Sequence, residues 1–306
     1  MGVFINPFTD IGFKRIFGQE FSKPLLLDFL NNLLVGERKI ENITFLDKEM
    51  PRDIEGERSI IYDVLCETET GEKIIVEMQN QRQPFFKQRS IFYASEAISR
   101  QARKGREWRF DIKAVYLIAF LNFTLKDIGT TFRTDVALLD MRTKEVFSDK
   151  IRLIYLQLPY FNKEADECEN DFERWIYVLK NMETINRLPW TAKSAVFKRL
   201  EEIAEVRALT KEEQMQYDHA LKVYRDNYNT FQGAIEEGMK EGREKGLKEG
   251  REEGIKEGRE EGREEGREEG RADKTKEVAQ NMKKMGMSIE QIAQACGISV
   301  EEAEKL

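Results

Sequence analysis

Residues 59–79 read Ser59-Ile-Ile-Tyr-Asp63-Val-Leu-Cys-Glu67-Thr-Glu-Thr-Gly71-Glu-Lys73-Ile-Ile-Val-Glu77-Met-Gln79. Two short runs rich in β-branched residues, Ser59 to Glu67 and Lys73 to Gln79, flank a polar link whose Gly71 suits a tight turn, so an antiparallel hairpin is expected. Side chains alternate along a strand. Asp63 therefore shares a face with Ile61 and Leu65, and Glu77 shares one with Ile75 and Gln79. A carboxylate on an otherwise apolar face is expensive to desolvate unless it finds a partner. Two readings stand at this point: the acids lie at frayed strand ends facing water, or both reach one metal ion.

Working outward, Leu26, Phe29, Leu30 and Leu33 fall at helical spacing within Phe21 to Leu34, after a turn at Gly18. Ile43 to Lys48 is a further strand candidate. Beyond the hairpin, Phe85 to Lys104 fits a helix, and Ile112 to Phe120 is apolar enough for a strand buried on both faces. The order is helix, three strands, helix, strand. Asp135 to Met141 and Ile151 to Leu158, on either side of a turn near Thr143 and Lys144, extend the sheet. After Pro159 the pattern turns helical: Phe172, Trp175, Ile176 and Leu179 form one stripe, followed by helices around Ala195 to Ile203 and from Lys211 to Tyr228. The aromatic stripe reads as core.

The whole chain has 306 residues, with 50 Lys and Arg against 57 Asp and Glu. That net charge of −7 argues against a uniformly basic nucleic-acid coat. A local exception runs from Arg82 to Lys113, where nine basic residues face three acids. Arg89, Tyr93 and Arg100 share one helical face there, with Arg103 and Lys104 just beyond. The segment follows Glu77 and Gln79 directly and reads either as a phosphate-gripping helix or as a solvated amphipathic one. His219 is the only histidine, so a Ser-His-Asp triad or an HExxH zinc site is hard to build. Hydrolysis would fall to carboxylates holding Mg²⁺, which activates water and offsets charge on a phosphorane-like transition state. Cys66, Cys168 and Cys296 are too scattered for a disulfide framework or a cysteine zinc site. With no apolar run of about 18 residues and no basic start before an apolar stretch, a soluble, cytoplasmic protein is expected.

Glycine recurs every fourth residue from Gly238 to Gly270 amid Glu, Lys and Arg. A four-residue period drifts about 40° per repeat on a helix, so the glycines wind around it and form no lasting flat face. Each glycine costs about 0.8–1 kcal/mol relative to alanine, while each charge pair returns about 0.2–0.5 kcal/mol. A marginal, solvated helix is expected, serving either as a spacer or as a stalk through which the C-terminal helices form a homo-oligomer. From Lys274 the chain reads helix, turn, helix, turn, helix, with turns at Gly286-Met-Ser288 and Cys296-Gly-Ile-Ser299. This looks like a helix-turn-helix, either a DNA reader or a small capping module.

Asp63, Glu77-Met-Gln79, Arg89 and Tyr93, together with Thr9-Asp-Ile-Gly-Phe-Lys-Arg-Ile-Phe17, resemble the recombination-promoting nuclease (Rpn) and transposase family of the PD-(D/E)XK superfamily. The resemblance implies an α/β, restriction-endonuclease-like core and Mg²⁺-dependent DNA endonuclease activity. It implies metal ligation by Asp63 and Glu77, a third active-site position at Gln79 where the superfamily has lysine, and a contribution from Asp10 to a second metal. Glutamine cannot act as a base but can orient water by hydrogen bonds. The rival reading is a DNA-binding or interaction protein of weak catalytic power on the same fold. The expected domains are a nuclease domain over 1–160, a helical subdomain over 161–232, the repeat stalk over 233–271 and the helix-turn-helix-like module over 272–306.

Overall fold

The computed structural model of the chain describes residues 2–50, 60–102, 109–191 and 194–306. Two units are distinguished, the first ending at Asn229 and the second covering Thr230–Leu306. In the first, helices α1 (Asp10–Phe17) and α2 (Lys23–Leu33) precede strands β1 (Ile43–Phe45), β2 (Glu49–Met50), β3 (Ile60–Ile61), β4 (Val64–Thr68) and β5 (Lys73–Gln79). Helix α3 (Phe86–Ser99), strands β6 (Val115–Leu121), β7 (Arg133–Leu139) and β8 (Val146–Gln157), and helices α4 (Asp171–Asn181) and α5 (Ala195–Ala204) follow. Helix α6 spans Lys211–Lys284.

The main sheet has the order β1-β4-β5-β6-β8-β7, parallel at β5–β6 and β6–β8 and antiparallel elsewhere. The run Val115–Leu121 lies at its centre and is buried on both faces, as its unbroken apolar character requires. Ile118 and Phe120 point to a core shared with α1, α2, α4 and α5, while Leu117 and Ala119 point to a second core beneath α3. The segment expected as a separate helical subdomain thus packs into the same core as the N-terminal helices: Trp175 lies against Phe17, Phe29 and Phe197 at ring-centroid distances of 5.8, 6.0 and 5.4 Å.

The hairpin forms as the link at Gly71 predicts, with Val64 opposite Val76 and Glu67 opposite Lys73. Gly71 adopts a φ of +93°, a conformation that side-chain-bearing residues rarely enter. Next to it the Glu72 carboxylate accepts from the Thr68 and Thr70 hydroxyls and pairs with Arg38 at 2.8 Å. Burial opposes its charge, but these partners prevail and hold its pKa at about 2 instead of 4.5. A depressed acid stabilises the fold above its unfolded pKa, and that contribution fades as pH falls from about 4.5 towards 2. Glu72→Gln should therefore flatten the acid limb of a urea-midpoint series between these values; an unchanged limb would show that Glu72 is not what titrates.

The strand expected over Ser59 to Glu67 is broken in two. Ile60–Ile61 pairs with β2, the Tyr62 amide donates to the Lys48 carbonyl at 3.0 Å, and only from Val64 does the chain join β5. The α3 segment ends at Ser99 rather than Lys104; Arg103 and Lys104 lie outside the described residues.

In the second unit the repeat is helical. An added Cβ at any of its nine glycines, Gly238 to Gly270, would meet nothing within 4 Å. Its C-terminal end forms the expected three helices: the end of α6, α7 (Ile289–Cys296) and α8 (Val300–Lys305) bury Ala279, Ile292, Ala293 and Ala303 together. Ser288 and Ser299 cap α7 and α8. Among the described residues no helix is long and apolar enough to cross a membrane.

Candidate active site

The break at Tyr62–Asp63 brings the two acids together. One position before β4, the Asp63 amide donates to Glu77 Oε1 at 3.3 Å, while Asp63 Oδ2 accepts from the Met78 amide at 2.8 Å. Asp63's side chain thus binds the backbone of β5 just where β4 begins. Glu77 lies opposite Ala119 of β6, a partner too small to crowd it, and is only 4% exposed. Gln79 is 8% exposed, and its Nε2 lies 3.4 Å from Glu77 Oε2.

Burial raises the pKa of both acids, and the charge of Asp63 pushes Glu77 further, to about 8. The pair's hydrogen-bond partners are the Asp63 and Met78 amides and Gln79, none of them cationic. A buried and a half-buried carboxylate that share neutral donors among the described residues fit a hard divalent cation, which takes oxygen ligands and often binds through one or two carboxylates plus substrate oxygens.

Helix α1 borders this pair. Thr9 caps it, accepting from the Gly12 amide at 3.0 Å and donating to the Asn6 carbonyl at 2.9 Å. Gly12 is obligatory here, because a Cβ would come within 2.1 Å of the Asn6 oxygen. Phe13 and Phe17 pack on Phe120, and Asp10 pairs with Lys14 at 2.6 Å. Asp10's charge raises and Lys14's lowers the pKa of Asp63, so both lie within electrostatic reach of it. Among the described residues no group of three His, Cys, Asp or Glu side chains is placed to hold a metal.

The sequence model of the PD-(D/E)XK nuclease family transposases matches residues 7–234. The chain belongs to this family. No curated protein and no solved structure gives a significant match. The matched region runs from the loop before α1 into α6 and stops short of the four-residue repeat, so the mixed α/β sheet is the restriction-endonuclease-like core of a PD-(D/E)XK nuclease fold. Nuclease-type chemistry belongs to that core.

Within this PD-(D/E)XK core, α3 lays Arg89 and Tyr93 beside the acids: Arg89 lowers the pKa of both Asp63 and Glu77, and the acids act in turn on Tyr93, whose pKa burial raises. The Arg89 guanidinium covers the rings of Phe86 and Tyr93 at 5.0 and 5.6 Å, and its buried Nε has no hydrogen-bond acceptor among the described residues. Arg100 is not with them. Eleven residues further along α3, about 16 Å at helical rise, it pairs with Glu96 at 2.9 Å and lines a separate charged hollow with Lys73 and Lys113.

Sequence reasoning missed Lys48. Its carbonyl receives the Tyr62 amide, so it sits one strand away from Asp63; burial lowers its pKa, with Lys14 lowering it further and Asp10 and Asp63 opposing. A lone lysine just before β2 carries no periodic signal, and only the folded pairing of β2 with β3 places it.

Proposed function

We propose that the chain is a metal-dependent DNA endonuclease that hydrolyses phosphodiester bonds, with Asp63 and Glu77 holding Mg²⁺ or a similar divalent ion. The observation that carries this is the pairing of half-buried Asp63, just before β4, with buried Glu77 of β5, whose hydrogen-bond donors among the described residues are all neutral. The bound ion supplies Lewis-acid stabilisation and a more acidic water. Gln79 orients the attacking water through its amide and leaves proton removal to another acceptor. Arg89 and Lys48 offer charged donors for phosphate oxygens beside the pair. The family's name ties such cleavage to transposition.

Supercoiled plasmid incubated with the full chain should be nicked or linearised with Mg²⁺ and left intact with EDTA. Equal cleavage in EDTA would overturn metal dependence, and binding without cutting would favour the rival DNA-binding reading. If Arg89 contacts one duplex phosphate, Arg89→Ala should reduce the log–log salt slope of binding by about 0.9. An unchanged slope would remove Arg89 from the interface. Lys48→Ala should slow cleavage by about 10²-fold at saturating DNA if Lys48 stabilises the reacting phosphate; a loss confined to affinity would make it a contact of the ground state alone.

A further inference from the structure

A cavity of about 480 Å³ opens in the first unit beyond the end of β5. It is built from four separated stretches: the loop before α1, the residue after β6, the end of α4 with the turn that follows it, and the stretch Tyr224–Asn229 of α6. Asn122, on its wall, donates its amide to the Gln79 carbonyl at 2.9 Å, and Asn80 donates its side-chain amide to the Phe8 carbonyl of the same wall. The cavity wall is therefore tied to the backbone at the C-terminal end of β5, on the side of the sheet away from α3.

Its lining suits one kind of ligand. Tyr224 and Tyr228 are one helical turn apart and present aromatic surface, while Asn6, Asn122 and Asn229 carry amides. Tyr224 is positioned by Asn122, whose Nδ2 donates to its hydroxyl at 3.2 Å, and Asn6 by Glu183 and by the close approach of Gly12. Aromatic faces stack on any base, and the Asn229 amide and the Asn122 side-chain oxygen match the donor–acceptor edges of bases, the Asn6 amide being held by Glu183 and by the Phe8 amide. The volume lies in the range of sites that enclose a small organic ligand.

Resting on the nuclease reading above, we propose that this cavity receives a single nucleobase, extruded from the strand that crosses Asp63 and Glu77. Extrusion would draw the neighbouring phosphate towards the acid pair and favour sites where a base unstacks at low cost.

The test uses the full chain and short duplexes carrying 2-aminopurine at successive positions, bound in Ca²⁺ so that fluorescence is read without turnover. One position near the cleavage site should brighten several-fold on binding. Asn229→Trp, which fills the cavity from an exposed position, should abolish the rise, and Tyr228→Ala, at a side chain 52% exposed, should weaken binding of that duplex about 10-fold. Adenosine monophosphate serves as the free-nucleotide probe: its binding with no brightening in any duplex would make the cavity a nucleotide site and overturn extrusion. Plasmid cleavage measured in parallel separates the two readings. Cleavage with no brightening at any position sinks the extrusion proposal alone, whereas brightening without cleavage supports it and sinks the nuclease assignment.

Discussion

Glu77→Gln should lower the rate of Mg²⁺-dependent plasmid cleavage by about 10³-fold and, in the same protein, raise thermal stability in EDTA. The first effect follows from losing a charged ligand where the transition state gathers negative charge. The second follows from burial: Glu77 is 4% exposed, receives only neutral donors among the described residues and lies beside a second acid, so its carboxylate is costly to hold without a cation. A neutral amide of the same shape removes that cost, and relief of such a site is commonly worth about 0.5–2 kcal/mol. Initial nicking rates and melting curves in EDTA check the two halves. Cleavage near the wild-type rate would remove Glu77 from the site, and a lower melting temperature would show that the carboxylate supports the fold on its own. Asp63→Ala should abolish cleavage as well but without the gain in stability, because Asp63 Oδ2 accepts the Met78 amide, and its loss leaves that donor unpaired.

Trp175→Ala should destabilise the first unit by about 3–5 kcal/mol, the usual cost of emptying a large buried aromatic site. Trp175 is fully buried, contacts three aromatic rings and donates from its indole nitrogen to Asp28 at 2.7 Å. Because Phe17 and Phe29 belong to α1 and α2, the damage should appear as one cooperative loss of the sheet and all its helices. Two separate urea transitions would show instead that 161–232 folds by itself. For the same reason a fragment ending at residue 160 should fail to fold, while truncation after Thr230 should leave a folded protein that still cuts plasmid.

The hairpin was legible because its evidence is local: alternation, a polar link and a glycine at the turn. The central strand Val115–Leu121 was legible from its unbroken apolar run. The break at Tyr62–Asp63 was not, since it depends on a hydrogen bond from Met78, fifteen residues away, and on β3 pairing with a strand that precedes it. Helical spacing placed Arg89, Tyr93 and Arg100 on one face, but not the direction in which α3 crosses the sheet, and that direction separates Arg100 from the acids. The stripe around Trp175 was readable as core, whereas its partners in α1 and α2 were not, because periodicity names a buried face without naming what covers it. The electrostatic reach of Asp10 to Asp63 lay outside what spacing could show, because α1 and the start of β4 meet only in the folded chain.

The open space around every glycine of the repeat bears on how the gene can change. A four-residue unit corresponds to twelve nucleotides, so replication slippage by one unit preserves the reading frame. Sterically the repeat offers no obstacle to the event, since among the described residues nothing lies within 4 Å of a Cβ added at any of these glycines. Each gain or loss lengthens or shortens the helix by about 6 Å and leaves its local hydrogen bonding intact. Stalk length is thus a heritable variable that mutation can alter in single steps without touching the nuclease core.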